Sequence, residues 1–509
     1  MIINIIEYFE QTVKEFPHKT AVIEGSNDID FAQLQKHSKY LALKINETLN
    51  DISQPIAVLL PKSIDSVIAN TAITYSGNIY MNLDVKAPEQ RLKNIIEKIE
   101  PKAIITHSEL LKNFTYLLDY SLPIICIDKE LELIPEEIDP ELFKIQTTRL
   151  IDKDPYCIIN TSGSTGVPKG VVLNHVSFID FTEWAIETLK ISQNERIGSL
   201  SPLYFDIYSF ELCLMMAKSS TIVIIPESSA IFPVKLISFL QESGINFIFW
   251  VPTIMVNIAN MDILSKIELK ALQKVLFAGE VFPTKHLNYW RKHIPDATFI
   301  NLYGPIEITL DCTFYIVAKD IPDEEPVPIG YPCRNTDVLI LNDKNHITKK
   351  NEKGELCVRG TSLALGYWND PEKTAKAFTQ NPLNSKYPEL IYRTGDVVYL
   401  NDNNEIVFVG RTDFQVKHLG YRIDLSEIEH VIVNTLPYIK NACVLYNFEK
   451  KDIILCYESD MEVSAAEFRK DLTKVLPKYM IPTKFNFFKE MPRNPNGKID
   501  RNLFKKNYT

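Results

Sequence analysis

Apolar residues along the chain follow two periods. Short β-branched runs at 55–60, 103–106, 123–127, 157–160, 220–225 and 274–277 predict strands. Between them, 87–99 and 234–243 repeat apolar residues at three- and four-residue spacing and predict helices. Ile5, Ile6, Phe9, Val13 and Phe16 fall on one face of a predicted amphipathic helix near the N-terminus. Strand–helix alternation of this kind predicts an α/β protein with large, mostly parallel sheets. From about Pro328 the pattern changes to short strands separated by Asn/Asp turns, as at 342–345 and 401–404. This predicts a small, barrel-like antiparallel β region. A last, small and mobile α+β unit is expected to begin near Gly410. The expected division is therefore 1–410 and 411–509.

Composition narrows the class. With 509 residues, 45% hydrophobic and 24% charged, the chain can bury a large core and needs no disulfide staples. No apolar stretch approaches the roughly 18 residues of a membrane span, so no membrane partner is expected. Eight scattered cysteines, none in C-x-x-C, read as reduced thiols of a cytoplasmic protein. A formal charge of −10 argues against a nucleic-acid binder. The charge is uneven: 411–509 carries +4 and the remainder −14. A docking face for an acidic partner would produce that asymmetry.

Only 17 glycines occur, and eleven of them fall in seven short segments. The first, N160-TSGSTGVPKG, follows a predicted strand. Its glycines, hydroxyls and Lys169 suit an anion held by backbone N–H groups and a point charge. It is not a Walker A loop, because Pro168 stands where the second glycine is required.

Together the seven segments resemble those of the adenylate-forming superfamily, which includes acyl-CoA synthetases, luciferases and nonribosomal peptide synthetase adenylation domains. They are TSGSTGVPKG, NLYGPIE at 301–307, GELCVRG with Gly366-Tyr367-Trp368, YRTGD at 392–396, the run from Gly410 to Glu429, LPKYMIP, and NGKIDR at 496–501. The resemblance spans essentially the whole chain. It implies ATP and Mg²⁺ as cofactors. The implied ATP site comprises Thr161, Ser162, Gly163, Ser164, Thr165, Gly166, Lys169, Gly279, Glu280, Asn301, Tyr303, Gly304, Asp396, Phe408, Arg411 and Lys498. Asp396 would accept from both ribose hydroxyls, Tyr303 and Phe408 would sandwich the adenine, and Glu307 would hold the metal. Lys498 would be the catalytic cation, screening carboxylate against α-phosphate. Asp413 would be the hinge, and Gly420-Tyr421-Arg422 would line the thiol tunnel. One departure is Ile306, where the family usually has threonine.

Phe205-Asp206 points to the amino-acid-activating members, in which the carboxylate meets an α-ammonium. Stand-alone D-alanine–carrier-protein ligases are similar in length and in the segment Ala278-Gly279-Glu280-Val281, although they carry cysteine at the Ala278 position. The implied substrate pocket is Asp206, Ile207, Phe210, Phe249, Leu276, Ala278, Leu302, Leu310 and Asp311. A second carboxylate in an apolar pocket needs a partner, so serine, threonine or a short diamino acid is the expected substrate. No L-G-G-D-S-L-like segment is found, so the expected acceptor is the phosphopantetheine thiol of a separate carrier protein, with the enzyme acting as a monomer. The alternative is an acyl- or aryl-CoA ligase using coenzyme A. A third reading, a degenerate nucleotide-binding scaffold, is disfavoured by Glu307 and Lys498.

Overall fold

A computed structural model of the chain describes residues 2–49, 51–136, 149–161, 168–411, 415–492 and 499–509, without the side chains of 426, 430 and 502. Its residues group into two compact units. One comprises 1–85, 100–159 and 171–410; the other comprises 86–99, 160–170 and 411–509.

Two large sheets dominate the first unit. In the nine-stranded sheet the order is Tyr331–Pro332, Thr313–Ile316, Thr298–Tyr303, Lys274–Phe277, Phe247–Trp250, Arg196–Ser199, Thr221–Ile224, Thr20–Glu24 and Asn27–Asp30. Its interior pairs are parallel and both edges are antiparallel. The strand Thr20–Glu24 pairs with Thr221–Ile224 some two hundred residues away, Val22 opposite Ile222. In the seven-stranded sheet the order is Gly366–Tyr367, Lys169–Asn174, Pro155–Thr161, Ile79–Asn82, Pro55–Leu59, Ala103–Thr106 and Ile124–Cys126.

Side-chain alternation along these strands separates two cores. Phe249, Leu276, Ile300 and Leu302 enter the larger core. Ile248, Trp250, Val275, Phe277 and Phe299, at the intervening positions, enter another. The helix Ile5–Glu15 is capped by Asn4, whose side chain accepts from Glu7 N–H. It buries Ile5, Ile6, Phe9 and Val13. The helix stops before the predicted Phe16, because Pro17 disfavours helical geometry in the residue ahead of it.

The antiparallel region is a five-stranded sheet of Thr336–Leu341, Gly354–Gly360, Leu390–Leu400 and Phe378–Gln380, with Ile406–Arg411 joined to Leu390–Leu400. Both predicted turns are present, with Asn345 and Asn404 at φ 60.

In the second unit, Asn441–Asn447, Asp452–Glu458 and Lys484–Phe488 form a three-stranded sheet. Val444, Leu455 and Tyr457 face one core with Phe468; Leu445 and Ile454 face another with Phe504. The hairpin Gln415–His418/Tyr421–Asp424 turns through Leu419 and Gly420, both at positive φ, as a two-residue turn requires. Tyr421 stacks on Tyr479 at 3.6 Å between ring centres.

Candidate active site

In the first unit NLYGPIE begins on the strand Thr298–Tyr303, whereas GELCVRG and YRTGD lie on the antiparallel strands Gly354–Gly360 and Leu390–Leu400. The strand Thr298–Tyr303 delivers Asn301, whose amide donates to the Pro328 carbonyl at 2.8 Å. Tyr303 ends the strand, and its hydroxyl donates to the Asp396 carboxylate. Burial, reinforced by that carboxylate, pushes the Tyr303 pKa far above its ordinary value, so the phenol remains the donor. Asp396 is 4% exposed, and its backbone N–H donates to Thr394 Oγ1 at 3.0 Å.

Phe408 lies beside Tyr303. The ring centres are 6.2 Å apart and the planes are tilted by 39°.

After Tyr303 the chain doubles back. A Cβ at Gly304 would lie 2.2 Å from the Leu310 carbonyl oxygen and 2.5 Å from Asp311 Cα, so only glycine fits there. Thr309 and Leu310 then take φ values of 52 and 62, unusual for side chains of that size. This tight return holds Glu307 fully buried, where the Tyr367 hydroxyl donates to its carboxylate at 2.8 Å. The Ile306 side chain packs against the main core.

Gly279 takes φ +91 just beyond Lys274–Phe277. The next residue, Glu280, accepts from Thr253 N–H at 3.0 Å and from its hydroxyl. It thereby caps the helix Pro252–Asn260, a role the sequence reading did not foresee.

Asp206 is the first residue of the helix Asp206–Lys218, half-buried, with one carboxylate oxygen accepting from Ile207 N–H at 3.0 Å. The helix dipole favours an anion at this end. Ile207, Phe210, Phe249, Leu276, Ala278, Leu302 and Leu310 all belong to a single buried cluster. Phe210 and Phe249 meet edge to face at 6.2 Å. Asp311 is 3% exposed, and its charge helps raise the pKa of the buried Cys312 and Cys333 thiols.

In the second unit, Asn160 and Thr161 have buried side-chain polar atoms without partners among the described residues. Lys169 begins the strand Lys169–Asn174. Arg411 and Arg422 both donate to Gln415, at 3.3 and 2.8 Å. Ser162, Gly163, Ser164, Thr165, Gly166, Asp413 and Lys498 lie outside the described residues.

A family profile described as "AMP-binding enzyme" matches residues 9–368. The chain belongs to the AMP-binding enzyme family. It is 30% identical to zwittermicin A synthase ZmaJ of Bacillus cereus, over 98% of this chain and 94% of that one. It is also 30% identical to a D-alanine–D-alanyl carrier protein ligase of Bacillus cytotoxicus, over 98% of both. It spans only 14% to 44% of several longer synthase chains that it matches. Its fold superposes on that of the Vibrio cholerae adenylation domain AlmE, solved with glycyl-adenosine-5′-phosphate, with a TM-score of 0.84 and 18% identity, covering 99% and 98% of the two chains.

As an AMP-binding enzyme the chain uses ATP, and its large N-terminal and small C-terminal α/β parts agree with the fold expected from the sequence. For a divalent ion, the described residues offer no cluster of three or more His, Cys, Asp or Glu side chains. Glu307 by itself suits Mg²⁺, which takes few protein ligands and draws the rest from phosphates and water.

Proposed function

We propose that this AMP-binding enzyme activates an amino acid as the aminoacyl adenylate and passes it to the phosphopantetheine thiol of a separate carrier protein. Asp206 carries this reading. It is an acidic residue at a helix N-terminus, and its neighbour Ile207 and the other apolar residues of the implied pocket share one buried cluster. An α-ammonium is a cation that this carboxylate can hold through a charge-assisted hydrogen bond. The likeness to a carrier-protein ligase over nearly its full length supports the choice of acceptor.

In the first half-reaction, a substrate carboxylate oxygen attacks the α-phosphorus of ATP and pyrophosphate leaves. Asp206 fixes the ammonium end, and the apolar pocket residues exclude water from the new mixed anhydride. Asp396 receives the ribose hydroxyls, with Tyr303 orienting it. Glu307 would hold Mg²⁺, which neutralises phosphate charge when bound. Lys498 serves as the cation between the two reacting anions. In the second half-reaction, the thiol sulfur attacks the adenylate carbonyl, AMP leaves and a thioester forms. We assign the first to residues 1–410 together with Lys498. The hinge at Asp413 then moves 411–509 so that the carrier can approach, with the thiol passing the turn at Gly420. Asp311 favours a substrate bearing a hydroxyl or a second amine. The enzyme is taken to act as a monomer in the cytoplasm.

Amino-acid-dependent ATP–pyrophosphate exchange across a panel of amino, aryl and fatty acids tests the reading. Exchange with small polar amino acids supports it, and Lys498→Ala should slow that exchange by ~10²–10⁴. Exchange with aryl or fatty acids alone, unaffected by Asp206→Ala, would replace it with the coenzyme A ligase.

A further inference from the structure

Asp206 follows directly on a short segment, 199–205, that leaves the nine-stranded sheet at the end of Arg196–Ser199 and closes in a turn where Phe205 N–H donates to the Pro202 carbonyl at 3.0 Å. Alternate carbonyls of that segment are held by two side chains from the other large sheet. Lys62 lies just beyond the strand Pro55–Leu59, and its ammonium donates to the Ser199 carbonyl at 2.9 Å and to the Ser201 carbonyl at 2.6 Å. Asn82, the last residue of Ile79–Asn82, donates from its amide to the Leu203 carbonyl at 2.9 Å.

The anchoring is charged and largely shielded from water. Lys62 also donates to Ser199 Oγ at 3.1 Å, and that hydroxyl donates to the buried Glu211 carboxylate. Burial pulls the Lys62 pKa down, and the facing Glu211 charge pushes it back up. Glu211 lies on the helix that Asp206 begins. The same helix is tied to the seven-stranded side again where Tyr80 donates to Ser209 at 2.8 Å. Hydrogen bonds from an ammonium are roughly twice as strong as neutral ones, so Lys62 is the stiffer of the two anchors.

We propose that Lys62 and Asn82 are positioning residues that fix the segment delivering Asp206, and so set the affinity for the amino acid rather than for ATP. This rests on the reading of Asp206 given above. Neither residue belongs to the substrate pocket; Lys62 acts through the Ser199 and Ser201 carbonyls and Asn82 through the Leu203 carbonyl. A displacement of about 1 Å at Asp206 weakens a charge-assisted contact with the ammonium, while the nucleotide contacts of Tyr303 and Asp396 belong to other strands.

Exchange kinetics on the full chain, with both substrates varied, test the proposal. Lys62→Met and Asn82→Ala should each raise KM for the amino acid by about tenfold or more and leave KM for ATP within about twofold. Lys62→Arg should recover part of the Lys62 loss, since it retains the charge but not the compact geometry. If Lys62→Met fails to fold, Asn82→Ala carries the test, because it cuts only the Leu203 anchor. Unchanged amino-acid KM in Asn82→Ala, or equal rises for both substrates, overturns the proposal. Asp206→Ala separates the two claims. If it abolishes amino-acid-dependent exchange while the anchor variants behave as wild type, only the positioning role fails. If it leaves exchange intact, the reading of Asp206 fails and the positioning role fails with it.

Discussion

Thr309 offers a sharp test of the strained return beside Glu307. It sits at φ 52 and ψ 100, fully buried, and its hydroxyl has no partner among the described residues. At an ordinary position alanine is more stable than glycine by about 0.4–1 kcal/mol, because glycine leaves the unfolded chain freer. At a positive φ the order reverses, since a Cβ there costs about 1–2 kcal/mol. Thr309→Gly should therefore exceed Thr309→Ala by about 0.5–1 kcal/mol. Relative to wild type, Thr309→Ala loses one buried methyl, about 0.8 kcal/mol, and sheds an unpartnered hydroxyl worth about 1–3 kcal/mol. It should be neutral or mildly stabilising. All four tryptophans, 184, 250, 290 and 368, lie in the first unit, so urea unfolding followed by tryptophan fluorescence reports on the unit that contains Thr309. With a urea slope of about 3 kcal/mol/M, the two variants should differ in midpoint by roughly 0.2–0.3 M. An alanine variant as stable as the glycine variant would refute the strain. Exchange activity should fall about tenfold in the more stable glycine variant, because the return that holds Glu307 and Asp311 is loosened.

Burial holds the His175 pKa down at about 3, with its Nδ1 accepting from Ile5 N–H. The unfolded chain then binds the extra proton, so stability declines as pH falls below the unfolded value of about 6.5. By linkage about 2 kcal/mol should be lost between pH 7.5 and pH 5, and His175→Asn should flatten that part of the urea-midpoint profile. Gly304→Ala drives a methyl into the Leu310 carbonyl and should cost about 3 kcal/mol or abolish soluble expression; a folded, active variant would mean that the return can open. If Asp311 reads the substrate side chain, Asp311→Ala should reduce a preference for polar amino acids over alanine by ~10²-fold or more, whereas an unchanged order of substrates removes it from the pocket.

Periodicity located the regular elements well where local signals were strong. The runs predicted at 103–106 and 274–277 are the strands Ala103–Thr106 and Lys274–Phe277. The helix predicted at 234–243 is Pro233–Glu242, with proline at its first turn, where the missing N–H does no harm. Helix 87–99 begins at Glu89, just past Pro88. Pairings across long separations were not legible. Nothing near Lys62 or Asn82 announces that each meets a carbonyl more than a hundred residues away. Glu280 in the Ala-Gly-Glu segment gave no sign that it would cap the helix starting at Pro252. Tyr367 stood in a segment read as structural, yet its hydroxyl is the partner of Glu307. Positive φ at Thr309 runs against local propensity, which would place glycine there, so only tertiary packing explains it.

The position of the first strand has a consequence for synthesis. Ile5 meets His175, the Thr12 hydroxyl donates to the Met216 carbonyl, and Thr20–Glu24 lies against Thr221–Ile224. A ribosome adding about 5–20 residues per second needs roughly 10–40 s to make the two hundred residues between these partners. Throughout that interval Phe9 can meet Phe31 and Tyr75 and Val22 can pair with Ile29, but the partners contributed by residues 175–224 are still missing. The first strand thus waits exposed on one edge until Thr221–Ile224 emerges, and keeping that edge from aggregating in the meantime is work for the cell rather than for the fold.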